Sequence, residues 1–261
     1  GIIGYAGRNQ ALPIIVEGLR RLEYRGYDSA GVALITKDGI STVKRAGKLA
    51  ALEGALGKVK LPTSITGIGH TRWATHGAPN DRNAHPHLSP AQDLAIIHNG
   101  IIENYSQLKA ELQAKGHKFH SDTDTESVAH LLSDLRKEFN GDLPAAMREA
   151  VKTLRGSFTL LAVHADNPGV IVGVRRNSPL VLGVGDNEYF LASDVAAFIE
   201  YTKRAVELGQ DEIVVITPNG FEITDLEGTA QTPREYQVTW DAEAAQKGGF
   251  SHFMLKEIFE Q

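Results

Sequence analysis

The stretch FTLLAVHADNPGVIVGVRRNSPLVLGVGDNEYFLA, residues 158–192, places four short apolar runs in succession, separated by turn-forming residues. Each run has the length of a β-strand, and the segments between them contain the Gly, Pro, Asn and Asp residues that favour tight turns. Strands joined by such short segments pair antiparallel, because a parallel pair needs a crossover of a dozen residues or more. This stretch therefore predicts antiparallel sheet structure.

Outward from this stretch, strands are predicted on both sides and helices are grouped in the middle of the chain. The predicted strands are residues 2–6, 31–35, 40–45, 65–71, 94–98, 158–164, 170–175, 180–183, 189–192, 212–217 and 221–225. The predicted helices are residues 101–115, 124–138 and 143–154, with an earlier one whose apolar face carries Leu12, Ile15, Val16, Leu19 and Leu22. This grouping favours an α+β fold of antiparallel sheets with helices on their faces over repeated βαβ units.

Length and composition indicate a globular chain and exclude several classes of partner. A chain of 261 residues can bury a core without disulfides or a structural metal. The formal net charge is −5 and the basic residues are dispersed, so we expect no nucleic acid partner. The apolar runs are shorter than the roughly 18 residues of a membrane-spanning helix, and we see no secretory signal. We therefore expect no membrane partner and a cytoplasmic location.

The sequence contains no cofactor-binding motif, but several of its histidines lie close together in sequence. The sequence has no phosphate-binding loop, and Gly67-Ile68-Gly69 continues to Arg72 where a dinucleotide fingerprint requires a third glycine, so we expect no cofactor. Five imidazoles could ligate zinc in a metal-dependent hydrolase. They are His70, His76, His85, His87 and His98, and they fall within 29 positions. No His-Glu-x-x-His pair accompanies them, so we expect no metal and keep this function as an alternative.

The first segment whose side chains could bind a substrate is HTRWATHG, residues 70–77, which directly follows an apolar strand. An arginine at the end of a buried strand suits bidentate binding of a carboxylate, so Arg72 is a candidate carboxylate ligand. Thr75 and His76 could add hydrogen bonds. The alternative is a strand end with a surface arginine and a packed tryptophan.

The second segment, AIIHNG at residues 95–100, ends a predicted strand with Asn-Gly. Such a dipeptide ordinarily forms a turn. A side-chain amide beside a backbone N–H is also the composition of an oxyanion hole, which Asn99 and Gly100 could form. A helix predicted directly after them would hold both donors in place.

The third segment, SDTDTE at residues 121–126, precedes the apolar face of a predicted helix. Thr123 and Glu126 predict a capping box, and Asp124 would then either favour the helix dipole or accept the ammonium group of a substrate. Together the three segments supply a carboxylate ligand, an oxyanion hole and an ammonium acceptor. That set fits an amino acid whose side-chain carbonyl is attacked.

These residues resemble the glutaminase domain of the glutamine–fructose-6-phosphate aminotransferase family, a branch of the class II glutamine amidotransferases. The motifs that carry the resemblance are YRGYDSAG at 24–31, HTRWATHG at 70–77, HPH at 85–87, HNGIIEN at 98–104 and TDTE at 123–126. The tail HFMLKEI at 252–258 resembles the passage into the sugar-isomerase half of that family. From Gly228 onward the sequence becomes polar and has little periodic pattern. We therefore predict a boundary near residue 228, with the glutaminase domain over 1–227 and a linker and the start of the next half over 228–261.

The resemblance implies the N-terminal-nucleophile hydrolase fold, an αββα sandwich of two antiparallel sheets between helical layers. It also implies hydrolysis of L-glutamine to L-glutamate and ammonia through an N-terminal cysteine thioester, with ammonia used by the synthase half to form glucosamine 6-phosphate. The implied oxyanion hole is the Asn99 side chain with the Gly100 N–H. The implied substrate-binding residues are Arg72, Trp73, Thr75, His76 and Asp124, and the implied supporting residues are Arg25 and His85.

The nucleophile that the resemblance implies is not in the sequence. The family begins Cys-Gly-Ile, whereas this chain begins Gly1-Ile2-Ile3-Gly4 and contains no cysteine. The expected position is the one before Gly1. A modified cysteine, a removed cysteine and an inactive form of the protein are the three explanations, and we favour a cysteine that precedes Gly1.

Two further functions stay open at this point. One is a catalytically silent glutamine-binding module that regulates a partner. The other is the amidotransferase domain of another class II enzyme, such as the one that uses phosphoribosyl diphosphate. The family also predicts a partner within the same protein, the C-terminal sugar-isomerase domain, and a homodimer for the full-length enzyme.

Overall fold

The computed structural model describes residues 1–26, 28–73 and 77–239, which form fourteen strands and five helices. The strands are β1 (Ile2–Ala6), β2 (Ser29–Thr36), β3 (Gly39–Ala46), β4 (Thr66–Arg72), β5 (His87–Leu88), β6 (Leu94–Ile102), β7 (Gly156–His164), β8 (Ile171–Arg176), β9 (Val181–Val184), β10 (Tyr189–Ala192), β11 (Arg204–Glu207), β12 (Ile213–Thr217), β13 (Gly220–Thr224) and β14 (Arg234–Gln237). The helices are α1 (Ala11–Leu22), α2 (Leu49–Leu56), α3 (Tyr105–Ala114), α4 (Thr125–Glu138) and α5 (Leu143–Thr153). None of these helices has the length and apolarity needed to cross a membrane.

The strands form two sheets, and all neighbouring strands pair antiparallel, as predicted. One sheet has eight strands in the order β14-β11-β9-β10-β1-β4-β2-β3, and the other has six in the order β13-β12-β8-β7-β6-β5. The four strands of residues 158–192 divide between them, since β7 and β8 belong to the six-stranded sheet and β9 and β10 to the eight-stranded sheet. The neighbouring predicted strands 31–35 and 40–45 form the hairpin of β2 and β3, with Ile35 opposite Ile40.

Three layers of buried apolar side chains hold four layers of secondary structure together. Helices α1 and α2 pack on the eight-stranded sheet through residues such as Leu19 and Leu52. The two sheets pack face to face through residues that include Ile2, Ile68 and Ile97. Helices α3, α4 and α5 cover the six-stranded sheet. The predicted αββα sandwich is therefore confirmed.

Helix α1 forms where the apolar period predicts it, but its buried face is rotated slightly. Pro13 lies in the first turn, where its missing N–H costs nothing. Ile15, Leu19 and Leu22 are buried as expected. Leu12 and Val16 are only partly buried, and Ile14 is buried instead.

One predicted helix boundary is wrong. Strand β6 does not end at residue 98 but continues to Ile102, and α3 begins only at Tyr105. Asn99 and Gly100 thus lie inside a strand and do not lead directly into a helix. The continuation is possible because Thr159 and Phe158 of β7 pair with them, a long-range contact that the local Asn-Gly signal cannot reveal.

The carboxyl-terminal part of the described chain contributes to the eight-stranded sheet. Strand β14 falls in the segment predicted as a linker, yet it pairs with β11 at the sheet edge. The domain boundary near residue 228 stays a prediction. The predicted helix at 252–261 lies outside the described residues.

The segment 82–86 lies against the β2–β3 hairpin, where a lysine donates hydrogen bonds to it and a glycine allows its close approach. The Lys44 ammonium donates to the carbonyl oxygens of Ala84 at 2.7 Å and Pro86 at 3.1 Å. Burial lowers the pKa of Lys44 to about 8. Gly31, opposite Lys44 in the hairpin, leaves room for the His85 carbonyl oxygen, with which an added Cβ atom would collide. The hairpin thereby determines where His85 lies.

Replacing Gly31 should test this close approach. Gly31→Ala should lower the free energy of unfolding by roughly 1–3 kcal/mol, because the methyl group collides with the His85 carbonyl and the Lys44 side chain. Gly54→Ala in α2 is the matched control. Apart from its chain neighbours and its own helix backbone, no atom of the described residues lies within 4 Å of its Cβ position, so the same change should raise the free energy of unfolding by about 0.5–1 kcal/mol. Denaturant titration followed by circular dichroism measures both, and equal effects would contradict the proposed contact.

Candidate active site

A cavity of about 350 Å³ opens where the ends of β1, β4 and β6 meet the first turn of α4. Each of the three sequence segments contributes to its wall. The residues that line it are Gly1, His70, Thr71, Arg72, Trp73, His85, His98, Asn99, Gly100, Ile101, Thr123, Asp124, Thr125, Pro179 and Ser193. The structure thus brings Arg72, Asn99, Gly100 and Asp124 together, although they are far apart in sequence.

Gly1 reaches the cavity because the β1–β4 ladder extends through it. Its nitrogen donates to the Thr71 carbonyl oxygen at 2.6 Å, and the Thr71 nitrogen donates back to the Gly1 oxygen at 3.0 Å. Ile2 pairs with His70 in the same register. A residue before Gly1 that continued this register would therefore stand opposite Arg72.

Arg72 ends β4 as a buried cation. Its guanidinium donates to the Gly77 carbonyl oxygen at 3.1 Å and lies 4.0 Å from the Asp28 carboxylate. Burial lowers the pKa of Arg72, while Asp28 and Asp124 act in the opposite direction. Because arginine stays protonated in proteins, Arg72 supplies a positive charge shielded from water at the cavity wall.

Asp124 is buried at the start of α4 and is held by the backbone of β6. Its Oδ2 accepts a hydrogen bond from the Ile102 nitrogen at 2.8 Å, and its Oδ1 lies 3.9 Å from Nδ1 of His98. A carboxylate in this setting can receive a ligand cation without rearrangement of its neighbours.

The predicted capping box at the start of α4 does not form. Glu126 reaches back past Thr123 and accepts from the nitrogens of His120 at 2.7 Å and Ser121 at 2.6 Å. The Thr123 hydroxyl instead contacts Ser121 at 2.9 Å and His87 at 3.1 Å. The local pattern fails because Glu126 accepts from N–H groups two and three residues before Thr123 instead of from Thr123 itself.

Asn99 and Gly100 lie side by side on β6. Gly100 has a φ of +107°, and an added Cβ would collide with the Ser157 carbonyl, so only glycine fits. Nε2 of His70 lies 2.9 Å from Oδ1 of Asn99. The Asn99 carboxamide is therefore tied to the opposite sheet on one side and faces the cavity on the other.

Four imidazoles pack behind these residues. The His85 ring lies 4.2 Å from that of His70 and 4.8 Å from that of His87, measured between centroids. The Thr125 hydroxyl contacts Nε2 of His85 and Nδ1 of His98, each at 2.9 Å. Burial is the main cause that lowers the pKa values of His70, His85 and His87, and these rings are therefore neutral near pH 7. Within the described residues no group of three or more metal-ligating side chains is arranged around a common point.

The remaining predicted residues divide between the cavity and the part that the structure leaves undescribed. Trp73 lies at the mouth with 60% of its surface exposed. Thr75, His76 and the Arg25 side chain lie outside the described residues and stay predictions. Sequence reasoning did not single out Ser193, whose hydroxyl accepts from the Ile2 nitrogen at 3.1 Å. No sequence signal identifies it, since its role follows from the pairing of β1 with β10.

Comparison with known proteins assigns this chain to a family. Residues 70–200, half of the chain, match the family model described as a glutamine amidotransferase domain. The glutamine–fructose-6-phosphate aminotransferase of Streptomyces coelicolor is 57% identical over all of this chain and 42% of its own length. The enzyme of the same name from Thermus thermophilus is 53% identical over all of this chain and 42% of its own length. The chain thus spans about two fifths of these curated relatives.

Solved structures share the fold. A glutamine phosphoribosylpyrophosphate amidotransferase from B. subtilis matches with a TM-score of 0.72 and 25% identity, covering 86% of this chain and 49% of that one. An allosteric regulatory enzyme of purine biosynthesis matches with a TM-score of 0.76 and 26% identity, covering 86% and 48%. The architecture is that of the N-terminal-nucleophile hydrolases, as the resemblance implied. The matched range also contains the cavity residues from His70 to Ser193, and the chain belongs to the glutamine amidotransferase domain family.

Proposed function

We propose that this chain hydrolyses L-glutamine to L-glutamate and ammonia, as the glutaminase part of an enzyme that aminates fructose 6-phosphate. The observation that carries the proposal is the convergence of one buried cation, one buried carboxylate and one side-chain amide on a single cavity beside Gly1. A zwitterionic amino acid with a side-chain carboxamide complements that set. The high identity to enzymes named glutamine–fructose-6-phosphate aminotransferase supports the acceptor sugar.

Glutamine binding is proposed to rest on two charge pairs. Arg72 binds the substrate α-carboxylate, and Asp124 binds the α-ammonium group. Both side chains are buried, so each pair forms where water screens it little. Trp73 covers the substrate at the mouth of the cavity, and Thr75, His76, Arg25 and His85 are proposed to support this arrangement.

The proposed nucleophile is the thiolate of a cysteine immediately before Gly1. The β1–β4 register supports this, because it would set that residue opposite Arg72. The thiolate attacks the carboxamide carbon, and the terminal α-amino group takes the thiol proton and passes it to the leaving ammonia. Asn99 and Gly100 stabilise the oxyanion. Water then hydrolyses the γ-glutamyl thioester, which releases glutamate and restores the thiol.

The rest of the enzyme is a proposal from the relatives. Because those proteins are more than twice as long as this chain, we propose a C-terminal sugar-isomerase domain after a boundary near residue 228, and a homodimer of the full-length protein. The phosphoribosyl diphosphate type is the weaker candidate, since the solved structure of that name is 25% identical whereas a relative named glutamine–fructose-6-phosphate aminotransferase reaches 57%.

Glutaminase activity should depend on the residue before Gly1. Protein with a cysteine at that position should release ammonia from glutamine, whereas a variant with alanine there should release none and still bind glutamate. Ammonia assay and titration calorimetry measure the two properties. Binding without hydrolysis in the cysteine protein would favour a silent glutamine-binding module, and hydrolysis abolished by a chelator would favour the metal-dependent alternative.

Arg72→Ala should weaken glutamate binding by about 2–4 kcal/mol, because the substrate carboxylate loses its partner in a site shielded from water. Calorimetry on the protein with alanine before Gly1 measures this without turnover. Arg45→Ala is the control, since Arg45 is an exposed arginine of β3 outside the cavity. Unchanged affinity in Arg72→Ala would exclude Arg72 as the carboxylate ligand.

Asn99→Ala should lower kcat for glutamine hydrolysis by about 10²–10³-fold, the usual cost of losing one oxyanion donor. Glutamate affinity should change little, because the two charge pairs remain. Steady-state kinetics with calorimetry separate these effects. A variant with full kcat would show that the carboxamide does not contact the developing oxyanion.

A further inference from the structure

We propose that His70 is a positioning residue that orients the Asn99 carboxamide, so that its NH₂ group and not its oxygen faces the substrate. The inference rests on the proposed function, because it assigns a cause to the orientation of the oxyanion donor. The contact that carries it is the 2.9 Å distance between Nε2 of His70 and Oδ1 of Asn99.

The contact crosses from one sheet to the other. His70 lies on β4 of the eight-stranded sheet and Asn99 on β6 of the six-stranded sheet. Ile68 and Ile97, each two residues earlier on its strand, belong to the apolar layer between the sheets. Since alternate residues of a strand share a face, His70 and Asn99 continue that layer as its polar end at the cavity.

A side-chain amide can present either of two groups, and rotation by 180° about its last bond exchanges them. If Oδ1 faced the cavity, it would repel a developing oxyanion. If Nδ2 faces the cavity, it donates to that oxyanion. A donor fixed beside Oδ1 selects the second arrangement, because a rotated amide would direct its own N–H groups against that donor.

The neutral His70 ring must carry its single proton on Nε2 to act as this donor. Nδ1 of His70 is buried, and the His98 backbone interacts with the same ring. A proton on Nδ1 would leave the bare lone pair of Nε2 facing Oδ1 of Asn99 at 2.9 Å, two acceptors with no hydrogen between them. Burial keeps the ring neutral, and the His85 ring, tilted by 33° against it with centroids 4.2 Å apart, restricts its rotation.

Substitutions that differ in where they place a donor test the proposal, in enzyme with a cysteine before Gly1. His70→Gln carries an N–H near the position of Nε2 and should keep kcat within about tenfold of the parent. His70→Leu removes the donor and should lower kcat by more than tenfold, up to the 10³-fold limit set by losing the oxyanion donor itself. Glutamate affinity should stay within twofold in both. His164→Gln is the control for loss of a buried histidine, because His164 pairs with Leu94 at the far end of β6.

Combination with Asn99→Ala separates positioning from general structural damage. If His70 acts through the carboxamide, His70→Leu should lower kcat no further in the Asn99→Ala background. If the two substitutions instead lowered kcat multiplicatively, the proposal would be overturned. Long-range ¹H–¹⁵N spectra of histidine-labelled protein report the His70 tautomer independently of activity, and a proton on Nδ1 would also overturn it. An inactive parent enzyme would instead refute the proposed function, while the tautomer measurement would still test the His70–Asn99 contact.

Discussion

The antiparallel ladder between β1 and β4 is the constraint on which the site depends. β1 lies inside the eight-stranded sheet between β4 and β10, and all five of its residues are buried. Its first residues are therefore packed between neighbouring strands on both sides, and Gly1 is held by two hydrogen bonds to Thr71. A strand that starts at a cavity wall in the middle of a sheet fixes whatever precedes it relative to Arg72 on the neighbouring strand.

The sandwich of two sheets explains how a polar site forms at the edge of an apolar layer. Ile2, Ile68 and Ile97 fill the space between the sheets. Further along the same faces, His70 and Arg72 follow Ile68 on β4, and Asn99 follows Ile97 on β6. Polar groups there are costly unless each has a partner. The Arg72 guanidinium donates a hydrogen bond to the Gly77 carbonyl oxygen, and the Ile102 N–H donates one to the Asp124 carboxylate. These hydrogen bonds hold both charged side chains in place at the cavity.

Local patterns predicted the fold class and the segments of the site, but not the contacts between segments. Alternating and helical periods sufficed for β1, α1 and the hairpin of β2 and β3. Strands β11 and β14 are short and partly charged, and β14 is the edge strand of its sheet, so no apolar pattern marks them. The extension of β6 through Gly100 and the contact of His70 with Asn99 depend on strand pairing and hydrogen bonding over long range. Sequence reasoning located Arg72, Asn99 and Asp124, and the sheets determine that they share one cavity.

The neutral histidines give the cavity its charge balance. His85 and His87 lie close enough to Arg72 that its charge further lowers their pKa values, after the larger effect of burial. Protonation of this histidine cluster would put several like charges beside a guanidinium that is itself shielded from water. Keeping the rings neutral leaves Arg72 as the cationic side chain and Asp124 as the carboxylate of the described wall. One side-chain charge of each sign suits the proposed binding of the α-carboxylate and α-ammonium groups of a single amino acid, whereas a charged histidine cluster would favour polyanionic ligands over a zwitterion.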